Sequence, residues 1–276
     1  PEDGWASAQE AWRASAPVDG DVYRRASQAE SSSGSEGTGG TAGAPVLVCW
    51  NIVGFRLEQG REKLAGLFLA ARRLGIRERV VLSYPEDHGV EGAGRGRWAE
   101  YLDRLVEAID RRPRRAGRPL VFFAHSTAAA AALTLAARLG TRVLKLYLVD
   151  GGAPRPGEDV WASTCAMFRS WNDADWILHL SAWNPGSTVL REMATAVMSG
   201  WNASGSRGAQ EFLAHARRQY LNAIHPDLAC DLRAFPAPIL ALKMGRDEVV
   251  RLQEVENLAA WTLGGLQLEI FDAAHL

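Results

Sequence analysis

Leu120-Val121-Phe122-Phe123-Ala124-His125-Ser126-Thr127-Ala128-Ala129-Ala130 changes character once along its length. The first four residues are apolar and β-prone, the composition of a strand covered on both faces. From Thr127 to Leu139 the chain is mostly Ala and Leu, the strongest helix formers. A strand running directly into a helix is half of a parallel β-α-β unit, because parallel strands need a crossover. The same alternation extends both ways. Upstream, Pro45–Trp50 and Arg79–Tyr84 read as strands, and the apolar spacing of residues 58–74 and 97–112 predicts helices. Downstream, Val143–Val149, Pro238–Leu242 and Leu266–Phe271 read as strands, with a helix over Val249–Thr262. The expected class is α/β: a mostly parallel central sheet flanked by helices.

The alternation has two breaks. Residues 31–44, SSSGSEGTGGTAGA, hold 11 Ser, Gly or Thr in 14 positions and read as a flexible linker. Residues 1–30 read as an upstream tail or short helix, so the folded unit is expected over 45–276. Between Pro154 and Asp227 the pattern becomes mainly helical and holds Trp161, Trp171, Trp176, Trp183 and Trp201 with Met167, Met193 and Met198. Two readings stand: a helical excursion whose aromatics are core, or a helical lid, about 154–227, whose apolar underside faces an acyl chain.

Bulk properties exclude several classes. Lys and Arg number 31 against 32 Asp and Glu, so no net field draws the chain to nucleic acid or an acidic membrane. No apolar run is long enough to span a bilayer. Cys49, Cys165 and Cys230 are odd in number and far apart, which implies reduced thiols and a cytoplasmic setting. No His, Cys and carboxylate set has metal-ligand spacing.

Ala124-His125-Ser126-Thr127-Ala128 has the form of a nucleophile elbow, small-x-Ser-x-small between strand and helix, with alanine where glycine is usual. The competing reading is a serine that only caps the helix. A serine nucleophile needs a base, and the base an acid, in the chain order Ser, acid, His for an α/β-hydrolase fold. Asp247 follows the strand ending at Leu242, and His275 follows the strand ending at Phe271. Asp150, after Val149, is the alternative acid. The oxyanion donors expected are the N–H groups of Thr127 and of Ile52, in the loop after the first strand.

Arg118 to Ser126 also resembles the strand and Gly-His-Ser elbow of the type II thioesterases that accompany polyketide and non-ribosomal peptide synthetases. Leu146-Tyr147-Leu148-Val149-Asp150-Gly151-Gly152-Ala153-Pro154, Pro238 through Asp247, Leu258-Ala259-Ala260-Trp261-Thr262 and Phe271-Asp272-Ala273-Ala274-His275 are similar to that family's later segments, in order. The resemblance implies hydrolysis of acyl thioesters from the phosphopantetheine arm of an acyl or peptidyl carrier protein. Ser126 would be acylated, His275 would relay protons and Asp247 would orient His275. The hydrolase needs no cofactor of its own, since the carrier brings the phosphopantetheine. A general carboxylesterase or lipase, and a catalytically silent scaffold or ligand-binding domain, are the other readings.

Asp110–Pro119, DRRPRRAGRP, holds five arginines. It reads as a solvated loop or as a docking strip for an acidic carrier protein.

Overall fold

The computed structural model describes residues 43–50, 64–84, 97–111, 115–153, 160–183, 187–201, 206–225, 227–228, 232–247 and 249–273. The expected tail, residues 31–42 of the linker, Ile52, Cys230 and His275 lie outside them.

Six strands form one wholly parallel sheet: β1 (Val46–Trp50), β2 (Arg79–Leu82), β3 (Leu120–His125), β4 (Val143–Val149), β5 (Ile239–Met244) and β6 (Leu266–Phe271). Their spatial order is β2-β1-β3-β4-β5-β6. Winding therefore reverses between β1 and β3, and the carboxyl ends of those two strands flank the crevice where open parallel sheets bind ligands.

Every residue of β1 is buried, and alternation divides it between two faces. Leu47 and Cys49 pack with Phe68 and Ala71 of α1 (Ala65–Arg73). Val46, Val48 and Trp50 join the larger core with α2 (Arg97–Asp110) and α3 (Ala128–Leu139). In α2 the spacing Trp98, Leu102, Leu105, Ile109 puts one stripe inward, each side chain contributing about 1.5–3 kcal/mol. Helix α3 is buried nearly all round, and its alanines let it lie close to the sheet. The buried Thr134 hydroxyl faces two carbonyls, Ala130 at 2.9 Å and Leu228 at 3.1 Å.

Four helices occupy the stretch read as helical: α4 (Val160–Ser170), α5 (Asp173–Trp183), α6 (Thr188–Met198) and α7 (Arg207–Ala223). Phe168, Trp171, Trp176, Trp183 and Tyr220 form a ring cluster with centroids 4.7–6.3 Å apart. Arg217 on α7 bonds Asp173 on α5 at 2.6 Å. The cluster belongs to the main core, whereas Met167 and Met198 are exposed.

The helix expected over Val249–Thr262 is shorter. Helix α8 (Leu252–Glu256) passes into a 3-10 turn, Asn257–Trp261. Its end is drawn toward Phe235, whose N–H donates to the Trp261 carbonyl and whose carbonyl accepts from Leu263. No helix among the described residues is long and apolar enough to cross a membrane.

Candidate active site

Ser126 sits one residue beyond β3, at the carboxyl end beside the winding reversal, with φ at +52°. That left-handed backbone is costly for a residue with a Cβ, about 1–3 kcal/mol, and persists only where its surroundings fix it. Two hydrogen bonds do so: the Ser126 N–H donates to the Val149 carbonyl at 2.9 Å, and the Ser126 carbonyl accepts from Ala129 at 3.0 Å. The cap position of α3 falls to Thr127, which makes no side-chain cap bond. Ser126 thus stands in left-handed backbone at the junction of strand and helix.

The alanines at 124 and 128 are buried without conflict. The tight approach falls instead on Gly151, after β4: a Cβ there would lie 2.6 Å from the Ala129 Cβ and 3.3 Å from the Ser126 carbonyl. Gly152 is similarly pressed, at 2.7 Å, against the Cβ of Glu254 in α8. In the sequence the Gly151-Gly152 pair stands only as part of the segment Leu146–Pro154, with no sign of these contacts.

Both candidate acids are buried at the carboxyl edge. Asp150 also has positive φ, +45°. Its N–H donates to the Leu242 carbonyl at 2.9 Å, and its Oδ1 then accepts the Met244 N–H at 2.8 Å. The side chain thereby stands in for a strand carbonyl and extends the β4–β5 ladder by one rung as the backbone turns away. Asp247 Oδ1 accepts the Val249 N–H at 2.7 Å. Between them lies Lys243, which the sequence reading passed over. Its Nζ is 3.3 Å from Asp247 Oδ2 and 3.8 Å from Asp150 Oδ1, and it donates to the Asp247 carbonyl at 3.0 Å. The signal was a lone charge in the run Ile239-Leu240-Ala241-Leu242-Lys243-Met244.

The strand leading to His275 is fastened to the loop bearing Asp247. The Gly245 N–H donates to the Phe271 carbonyl at 2.6 Å, and Arg246 N–H to Ala273 at 2.9 Å. The Arg246 guanidinium pairs with Asp272 at 3.0 Å. This joining runs to Ala273, two residues short of His275. On the other flank, β1 ends at Trp50, two residues short of Ile52.

Near the ends of β1 and β2, Trp50 Nε1 and the Tyr84 hydroxyl are buried with no hydrogen-bond partner among the described residues. Burial first, then Tyr220 and Tyr101, push the Tyr84 hydroxyl well above the usual tyrosine range. The Cys49 and Cys165 thiols are also raised, chiefly by burial, which makes them poor nucleophiles. No group of three or more potential metal ligands occurs among the described residues.

The arginine-rich loop lies elsewhere. It precedes Leu120, at the amino end of β3, so the strand, about 20 Å at roughly 3.3 Å per residue, separates it from Ser126. Arg115 bonds Glu78 and the Arg79 carbonyl, and Arg118 bonds the Ala44 carbonyl, so neither is simply solvated.

No protein-family model and no curated protein matches the chain. Solved structures do. YbtT, a type II thioesterase from the yersiniabactin NRPS/PKS biosynthetic pathway, aligns with TM-score 0.51 at 15% identity, over 86% of this chain and 87% of that one. A mutant of the same protein gives 0.52 at 17%, over 86% and 88%. RedJ, a thioesterase from the prodiginine pathway of Streptomyces coelicolor, gives 0.48 at 19%, over 94% and 89%. Sheet, helices and the YbtT likeness together show that this chain has the α/β-hydrolase fold.

Proposed function

We propose that the protein is a serine acyl hydrolase that cleaves acyl thioesters, with the substrate presented on the phosphopantetheine arm of a carrier protein. The observation that carries this is Ser126 in left-handed backbone at the carboxyl end of β3, beside the winding reversal. The thioesterases among the similar folds and the segment-by-segment resemblance support the choice of thioester.

In this reading His275 takes the proton from Ser126 Oγ as the oxygen attacks the thioester carbonyl. Thr127 and Ile52 N–H groups receive the oxyanion. The C–S bond breaks, and the thiol leaves with the proton from His275. Water, deprotonated by His275, then attacks the acyl-serine; the bond to Ser126 Oγ breaks, His275 returns the proton to that oxygen, and the acid leaves. Asp247 is assigned as the acid that orients His275, with Asp150 the alternative. Helices α4–α7 act as the lid, and no cofactor is required.

The test is labelling with a fluorophosphonate, then single-turnover hydrolysis of acyl-carrier, acyl-CoA and p-nitrophenyl esters. Labelling lost in Ser126→Ala and a preference for acyl-carrier are the expected results. A preference for simple esters makes the protein a general esterase. Folded protein without labelling makes it a silent scaffold.

A further inference from the structure

The least expected group in the fold is the buried carboxylate–ammonium–carboxylate cluster at the carboxyl ends of β4 and β5. Side-chain exposure is 5% for Lys243 and 0% for both Asp150 and Asp247. The cluster joins two strands: Leu242 pairs with Val149, which sets Lys243 opposite Asp150. Two carboxylates gathered around one ammonium repel each other, and a buried charge without a counter-charge is expensive.

We propose that Lys243 is a charge-balancing positioning residue: it lets Asp150 and Asp247 both remain ionised at one dry spot and leaves a net charge of −1 on the cluster. Asp150 is then free to serve the sheet, through the Met244 amide, while Asp247 serves the chemistry. The kinetic consequence rests on the acyl-hydrolase reading; the electrostatic one does not.

The other charged groups described on the surrounding elements are these. Glu254 on α8 accepts the Arg251 N–H. Arg246 pairs with Asp272, and Glu269 on the exposed face of β6 accepts from Gln267. His125 ends β3, one strand away. Glu248 and His275 lie outside the described residues.

In Lys243→Met the proposal has one carboxylate take up a proton in the folded state, so its folded pKa rises above the unfolded value. Such a group contributes stability at low pH that is lost as pH rises through the folded pKa. The thermal midpoint of Lys243→Met should therefore fall further below wild type as pH is raised from 5.5 to 8.5, by roughly 3–8 °C. Asp150→Asn/Lys243→Met, which removes one charge of each sign and keeps an oxygen for the Met244 amide, should abolish that slope. A Lys243→Met deficit that does not change with pH, or a double variant that keeps the slope, overturns the proposal. Where Lys243→Met does not fold at pH 8, recovery of folding in the double variant supports the proposal and its absence overturns it.

In wild type that reacts with the fluorophosphonate, a proton taken up by Asp247 should move the acid limb of labelling against pH up by about one unit or more in Lys243→Met, with the rate at pH 9 within about threefold. An unmoved limb overturns Asp247 as the carboxylate that takes the proton, and the melting test decides the charge-balancing role. Absence of labelling in wild type refutes the hydrolase reading and leaves the melting test intact.

Discussion

The Cβ that Gly151 lacks would stand 2.6 Å from the Cβ of Ala129, in the first turn of the helix that follows Ser126. Strand β4 and helix α3 thus meet at van der Waals contact only because one of the two residues has no side chain. Gly151→Ala should lower stability by about 1–3 kcal/mol, the usual range for overpacking. It should also slow fluorophosphonate labelling by displacing the Ser126 carbonyl. Thermal denaturation and labelling rates of the same preparation check both.

Strain at Ser126 predicts a separation between two inactivating variants. Ser126→Gly relieves the left-handed backbone and should raise stability by about 1 kcal/mol. Ser126→Ala keeps the Cβ in the same conformation and should gain little. Both should be unlabelled, so paired denaturation curves isolate the backbone term from loss of the hydroxyl.

Tyr84 offers the reverse case. Its buried hydroxyl has no partner among the described residues, so removing it discards a desolvated group without orphaning another. Tyr84→Phe should be neutral or stabilising by up to about 1 kcal/mol. A loss above that in denaturant unfolding would show that the hydroxyl is bonded.

His225 makes stability sensitive to acid. Burial holds its imidazole below the ordinary 6.5, with Arg169 acting the same way and Asp227 opposing. The unfolded chain therefore takes the proton first as pH falls. The stability from neutral His225 is present above about pH 6.5 and lost as pH drops through the lower folded value. Asn at this position can still accept the Asp227 N–H, as His225 Nδ1 does at 3.2 Å. Thermal midpoints from pH 7 to 5 should decline less steeply in His225→Asn than in wild type.

Much of the fold was legible because parallel strands, covered on both faces, are written as apolar runs. Val143–Val149 and Leu266–Phe271 were read with the bounds they have. β5 was ended at Leu242, yet Lys243 continues the strand and is buried there. Charge compensation from residues four and ninety-three positions away leaves no periodic trace. The serine was legible from its place between strand and helix, and its φ of +52° agrees with that placement. The demand for glycine at 151 was not, because Ala129 and Gly151 meet only after two strands have paired. Asp247 and Asp150 were singled out by chain order and by their places just after strands, and the structure adds that they share one ammonium.

The ring cluster of α4, α5 and α7 has an optical consequence. Trp171 lies 5.1 Å from Trp176 and 5.9 Å from Trp183, with His179 stacked on Trp171 at 4.0 Å. Indoles this close pass excitation energy among themselves, so the three emit as one coupled chromophore. A ligand that lifts Phe168 of α4 or Tyr220 of α7 off these indoles would change their surroundings and so the colour of that emission. The protein carries its own reporter of helix movement, readable without a dye.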